Sequence, residues 1–190
     1  MSFAYSIPQD ILFAIWFFLP AGLANCTPIF VAKIPILKNW SYPLDCYLLF
    51  RGKRLFDNHK TIRGFITGIL VAIAVIFLQK YLYSKFVFIH SFVFINYETI
   101  NSWIFGILSG LGALGGDATK SFFKRQKGIP SGQLWFPFDQ LDYIIGGIIT
   151  TVFYIPLPIN LYITLTIVWF ILHLISTRIG YLFRLKQSPM

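Results

Sequence analysis

The sequence predicts an all-α, polytopic membrane protein with five transmembrane helices, its N-terminus outside and its C-terminus in the cytoplasm. Three observations carry that prediction. Only 12% of the 190 residues are charged, while 56% are hydrophobic; a soluble domain carries about 25% charged residues. Five apolar stretches approach the length of a membrane span. Lys and Arg fall almost entirely on one side of those stretches.

The expected spans are about 10–31, 65–82, 100–116, 143–157 and 159–177, within a single membrane domain covering 1–190. A helix needs about 20 residues to cross a bilayer, with a range of about 17–25. The first stretch contains Pro20 and Pro28 and reads as a broken helix. The second is almost uninterrupted, and the third has no charge. The fourth is the shortest, closed by Pro156 and Pro158, and reaches span length only if Asp139 to Asp142 form its first turn. The fifth holds His173 as its one ionisable group. Between the second and third, residues 86–95 alternate aromatic and other side chains, which fits a short hairpin or a segment at headgroup level. His90 within it reads as structural.

Orientation follows from the cations. The expected cytoplasmic loop 33–63 carries seven Lys and Arg residues, the loop 117–140 carries four, and Arg178, Arg184 and Lys186 follow the last span. The other side has only Lys80 and Lys85. Basic residues accumulate in cytoplasmic loops and beside anionic headgroups. The net charge of +9 is therefore explained without nucleic acid, which is not an expected partner. No Lys or Arg precedes the first apolar run, so no cleaved signal peptide is expected. Cys26 and Cys46 have no metal-ligand spacing and read as ordinary residues.

The carboxylates say more, because topology does not require them. Asp45 and Asp57 lie in the first cytoplasmic loop, Asp117 at the end of the third span, and Asp139 and Asp142 at the start of the fourth. Only Asp10 and Glu98 fall on the other side. Asp117, Lys120, Ser121 and Lys124 are spaced i, i+3, i+4 and i+7, which sets them on one helix face. A solvated helix end with an i,i+3 ion pair explains that face alone. Asp139 and Asp142, three apart at a helix start, are compatible with capping. Taken together, three carboxylates beside several lysines make a candidate Mg²⁺ site, since Mg²⁺ takes oxygen ligands shared between carboxylates and phosphates. Lys60 and Arg63 just before the second span form a candidate phosphate-binding loop. Asn25, a polar group inside the first span, suggests a polar cavity reaching into the bilayer.

Pro20-Ala-Gly-Leu-Ala-Asn25 with Pro28, Pro43-Leu-Asp45, Asp57-Asn-His-Lys-Thr-Ile-Arg-Gly64, Gly116-Asp-Ala-Thr-Lys-Ser-Phe-Phe-Lys-Arg125 and Asp139-Gln-Leu-Asp142 together resemble the CDP-archaeol synthase family. Its members are archaeal-type CTP-dependent cytidylyltransferases acting on a lipid phosphate, relatives of bacterial CDP-diacylglycerol synthase. The resemblance runs over most of the chain. The bacterial relatives share Ser-x-x-Lys-Arg, matched by Ser121, Lys124 and Arg125, and Asp-x-x-Asp, matched by Asp139 and Asp142. Their Lys-Asp pair and His-Gly-Gly run are missing, so the resemblance is to the archaeal type.

The resemblance implies that CTP and 2,3-bis-O-geranylgeranylglycerol 1-phosphate give CDP-archaeol and pyrophosphate, with Mg²⁺, in the cell membrane. It implies Asp117, Lys120, Asp139 and Asp142 as catalytic residues, with Asp117, Asp139 and Asp142 on the metal. Lys60, Arg63, Ser121, Lys124, Arg125, Asn25, Asp45, Asp57 and His59 would serve CTP or phosphate. Expected partners are CTP, the lipid phosphate and the bilayer, with a homodimer allowed. The alternatives are CDP-diacylglycerol synthase acting on ester lipids, a small transporter for an anionic solute, and an interaction subunit of a membrane complex.

Overall fold

The computed structural model describes residues 6–182. Arg184 and Lys186, counted above for orientation, lie outside the described residues. The chain forms α1 (Ile7–Val31), the short α2 (Pro35–Lys38), a two-stranded antiparallel hairpin of β1 (Leu49–Phe50) and β2 (Lys53–Arg54), and α3 (Ile62–Lys85). A 3₁₀ turn (Val87–Ser91) leads to α4 (Ser102–Gln126), α5 (Phe138–Thr151) and α6 (Ile159–Leu182).

Among the described residues three helices, α1, α3 and α6, are long and apolar enough to cross a membrane. The 25 residues of α1 extend about 37 Å at 1.5 Å per residue, against a hydrocarbon core of about 30 Å. α4 is as long, but its last turns carry Asp117, Lys120, Lys124 and Arg125. α5 has 14 residues, or about 21 Å.

α1 is continuous through Pro20 and Pro28, contrary to the broken helix expected from sequence. Each proline removes one backbone donor, and packing offsets the loss. Pro20 is buried, and Pro28 lies against Gly64 at the start of α3. The connection after α3 also differs from the hairpin reading: Val87–Ser91 is a 3₁₀ turn. His90 stacks on Tyr83 with ring centres 4.0 Å apart, while Lys80 donates to the carbonyls of Glu98 and Ile100 at 2.9 and 3.1 Å.

α1 touches α3, α4, α5 and α6 and forms the centre of the bundle. Phe13, Phe17 and Phe18 of α1 pack with Phe105, Tyr143, Ile144, Leu165 and Trp169. The indole N–H of Trp169 donates to the Ala14 carbonyl at 2.9 Å, which fixes α6 to α1.

The α4–α5 crossing positions the chemistry. A methyl group on Gly112 would fall 2.5 Å from the Gly146 carbonyl oxygen, and one on Gly116 would fall 2.9 Å from the Asp142 carbonyl carbon. Small residues let helix backbones meet in this way. Gly116→Ala is therefore expected to push α5 off α4. A stability loss of about 1–3 kcal/mol follows from forcing a methyl into a closed contact. Thermal unfolding in detergent checks this; an unchanged midpoint would mean that the crossing can open freely.

Candidate active site

Asp117, Lys120, Ser121 and Lys124 project from one face of α4, as their spacing requires. α5 begins at Phe138, after Pro137 at its N-cap position, so Asp139 and Asp142 lie in its opening turns. The close glycine crossing brings the two sets together around one ammonium group. Lys120 Nζ lies 3.2 Å from Asp117 Oδ1, 3.0 Å from Asp139 Oδ1 and 3.0 Å from Asp142 Oδ2. Lys60 bonds the other Asp117 oxygen. Lys124 Nζ donates to both Asp139 oxygens at 3.1 Å and also to the Gln133 carbonyl.

Asp139 does not cap its own helix, as capping would have it. Its Oδ2 accepts the Trp135 N–H at 2.6 Å, so the carboxylate turns back toward the preceding loop and the lysines. Asp142 is the most buried member, with 4% of its side chain exposed against 16% for Lys120.

A second group adjoins the first. The Asp57 backbone N–H donates to Ser121 Oγ at 2.9 Å, and Arg125 Nη1 lies 3.6 Å from Asp57 Oδ2. Burial would raise the Asp57 pKa, but the Ser131 hydroxyl, the His59 N–H and the Arg125 charge hold it below the usual carboxylate range. Arg125 also donates to the Ile129 carbonyl at 2.6 Å. The His59 side chain is 87% exposed and 3.9 Å from Asp57.

Two cavities meet at these groups. The larger, about 730 Å³, has Asn25, Pro28 and Ile29 of α1, Phe65 of α3 and Leu114 of α4 on its walls. Gln140 of α5 and His173 and Thr177 of α6 also line it, as do Asp117, Asp139 and Asp142. Its volume is that of a ligand pocket, about 300–1,000 Å³. The smaller, about 160 Å³, is bounded by His59, Lys60, Lys120, Lys124 and Arg125, with Asp57, Ser121, Ser131 and Gly132. Its lining carries three lysine or arginine cations more than its single carboxylate requires, a surplus that suits an anionic group. His59, Lys60, Lys120 and Lys124 face both cavities.

Two expected site residues have other engagements. Arg63 is buried, donates to the Leu37 carbonyl and ties the start of α3 to the α1–α3 connection, while still lining the larger cavity. Asp45 is removed from both cavities. Its side chain is fully buried, with Arg54 Nε at 3.0 Å and the Tyr47 and Phe56 N–H groups at 3.1 and 3.0 Å. This cage holds a loop in which Cys46, Tyr47 and Arg51 have positive φ. Burial raises the Asp45 pKa, but Arg54 and the two N–H groups outweigh it and leave the carboxyl below its usual value.

The depressed pKa of Asp45 stabilises the fold above the unfolded carboxylate value of about 3.9, and that contribution is lost as pH falls through the folded value. Asp45→Asn is expected to cost about 2–3 kcal/mol at neutral pH, the worth of charge-assisted bonds. Turnover per folded molecule should persist. The gap to wild type should close only below about pH 4. Unfolding midpoints across pH test this, and full stability with lost turnover would return Asp45 to the site.

Sequence reasoning missed Ser131, Gly132, Gln140 and Thr177 as lining residues. Gly132, at φ +78°, had a turn signal in its Gly/Pro-rich stretch. Gln140 had none beyond its place between two aspartates.

Three carboxylates from two helices converge on one cationic point, an all-oxygen arrangement suited to a hard cation. Among the described residues no three acidic, imidazole or thiol groups already stand at ligating positions, because Lys120 holds the centre.

Residues 7–190 match the family described as CarS-like, CDP-archaeol synthase. The chain is 33% identical over 144 residues to the CDP-archaeol synthase of Methanospirillum hungatei JF-1, covering 73% of this chain and 82% of that one. It is 33% identical over 182 residues to that of Methanopyrus kandleri, covering 92% and 91%. A solved structure, described as structural insight into an intramembrane enzyme for archaeal membrane lipids biosynthesis, matches with TM-score 0.69. It is 27% identical and covers 87% of this chain and 93% of that one.

Proposed function

The chain belongs to the CDP-archaeol synthase family, and from that premise we infer how its site makes the product. The protein is a multi-pass membrane enzyme, a cytidylyltransferase that forms CDP-archaeol. The acceptor is 2,3-bis-O-geranylgeranylglycerol 1-phosphate and the donor is CTP. One phosphate oxygen of the lipid attacks the α-phosphorus of CTP, the bond to the β-phosphate breaks, and pyrophosphate leaves. The observation that carries this reading is the three-carboxylate, Lys120-centred cluster between a small basic cavity and a larger, partly apolar one.

Phosphoryl transfer depends mostly on positioning and charge neutralisation. Lys60, Lys120, Lys124 and Arg125 surround the small cavity and would hold the triphosphate. Pro28, Ile29, Phe65 and Leu114 give the larger cavity an apolar wall against which the lipid would lie. A lipid phosphate is ionised at neutral pH, so no strong base is required, and the exposed His59 serves as a hydrogen-bonding group. Asp117, Asp139 and Asp142 would hold Mg²⁺, which when bound supplies charge neutralisation at the α-phosphate.

In this reading α4 and α5 complete five spans, with the N-terminus outside and the site at the cytoplasmic end. The cation asymmetry supports that orientation. Purified protein with Mg²⁺ and labelled CTP tests the function. CDP-lipid should form with the ether-lipid phosphate and not without it. Preference for the ester-lipid phosphate would make the enzyme a CDP-diacylglycerol synthase, and no CTP consumption with either lipid would sink the reading.

A further inference from the structure

We propose that the β1–β2 hairpin docks on anionic lipid headgroups of the leaflet beside it. Residues 32–61 join α1 to α3, and both helices are long and apolar enough to cross a membrane. The whole connection therefore lies at one membrane face. Its base is tied to the start of α3: the Ile62 N–H donates to the Tyr42 carbonyl at 3.0 Å, and the Leu44 N–H to the Lys60 carbonyl at 2.8 Å. The hairpin also rests against the end of α4. The Phe50 ring lies 5.7 Å from that of Phe122, and Lys53 Nζ donates to the Gln126 carbonyl at 2.8 Å. These ties hold it where the helices leave the bilayer.

The tip joins apolar surface to positive charge. Tyr47, Leu48, Leu49 and Phe50 are four consecutive large side chains, between 44% and 63% exposed. Tyr47 meets the half-exposed Tyr42 edge to face at 5.7 Å. In water such a run is a liability unless something covers it. Non-helical backbone does not enter the hydrocarbon core exposed to lipid. Headgroup depth satisfies both the run and its backbone, and aromatic side chains are favoured there.

Charge selects the occupant. Residues 33–63 carry seven Lys and Arg residues against Asp45 and Asp57, and those two carboxylates are engaged by Arg54 and Arg125. Arg51 stands at the tip with its guanidinium 5.4 Å from the centre of the Phe50 ring. Among the described residues it pairs with no carboxylate. Phe50 and Lys53 flank a two-residue turn in which Arg51 and Gly52 have φ of 52° and 73°. Asn, Asp or Gly is favoured at the first position of such a turn, and left-handed backbone suits asparagine better than arginine. The chain keeps a cation at the tip in spite of that preference. A leaflet with anionic headgroups supplies the matching phosphate and the matching apolar boundary in one surface.

The test reads depth at Cys46, which is exposed and immediately precedes the run. In a Cys26→Ala background it takes a thiol-reactive fluorophore sensitive to polarity. The full chain is placed in phosphatidylcholine vesicles with or without phosphatidylglycerol. Emission should shift to the blue, and quenching by spin-labelled lipid should rise, when phosphatidylglycerol is present. Molar salt should reverse both changes. Arg51→Asn removes the charge and suits the turn, so the hairpin is kept while its preference for the anionic surface falls by about 5-fold. Leu49→Ser should weaken the quenching as well. Neither residue lines either cavity, so turnover in detergent should be unchanged, and detergent melts confirm that both variants fold. A probe that stays in water with both kinds of vesicle overturns the proposal and gives the run to a protein partner. A probe equally buried in both, or a response that Arg51→Asn leaves intact, overturns it too. The measurement needs neither CTP nor lipid phosphate, so its failure is distinct from failure of the cytidylyltransferase reading.

Discussion

Asp139→Asn and Asp142→Asn should each abolish CTP-dependent CDP-lipid formation while the protein still inserts and folds. Asparagine keeps the shape of aspartate and one acceptor oxygen, so the packing of α5 against α4 is preserved. What changes is charge. Asp139 faces Lys120 at 3.0 Å and Lys124 at 3.1 Å, and an amide would turn N–H groups or a neutral oxygen toward those ammonium groups. Asp142 faces Lys120 at 3.0 Å from the most buried position of the cluster. Either substitution removes an oxygen proposed to hold a divalent cation and leaves the lysines with too little negative charge around them. Removing one preorganised electrostatic group costs about 10²–10³-fold in turnover, and loss of a proposed metal donor should reach at least that range. Product formation measured per folded molecule, with a cooperative detergent melt showing that each variant folds, checks the prediction. Normal turnover in both variants would refute the assignment of these carboxylates to the reaction.

Lys120→Met should have the larger effect on stability. One nearly buried ammonium neutralises Asp117, Asp139 and Asp142, whose side chains are 18%, 15% and 4% exposed. Methionine fills similar volume but carries no charge. Lys60 and Lys124 still partner Asp117 and Asp139, which leaves Asp142 facing two carboxylates with no cation of its own in the cluster. Breaking a buried pair from one side costs about 3–5 kcal/mol. The variant should therefore melt well below wild type at neutral pH. The deficit should shrink when millimolar Mg²⁺ or Mn²⁺ takes over neutralisation, and again as the pH is lowered and a carboxylate protonates. Wild type, whose cluster already has its cation, should respond less to either. A variant with wild-type stability that ignores both would show that the carboxylates do not act as one group. Catalysis should fall in parallel, because the same ammonium borders both cavities.

Much of this arrangement was legible before folding. Apolar length marked five helical stretches; among the described residues α1, α3 and α6 combine the length and hydropathy of a membrane span, while α5 has 14 residues. The face formed by Asp117, Lys120, Ser121 and Lys124 followed from helical periodicity alone. The pairing of Asp139 with Asp142 followed in the same way. Less could be read of the loops. Asp45 and Asp57 sit in one loop, yet Asp45 is enclosed by Arg54 and its own backbone while Asp57 joins Ser121 and Arg125. Nothing in their spacing separates a carboxylate that holds a loop from one that borders a cavity. The prolines of α1 misled for a related reason: their local cost is visible in sequence, and the packing that offsets it is not.

Sequence by itself determined the membrane class, the concentration of charge at one end and the membership of each helix face. These depend on hydropathy and on a fixed angular repeat along one helix. Only the tertiary structure decided that the α4 and α5 faces close on a single lysine. That outcome depends on how near two backbones come. That distance is set at Gly112, Gly116 and Gly146 by the absence of side chains between α4 and α5, and a periodicity confined to one helix carries no information about it.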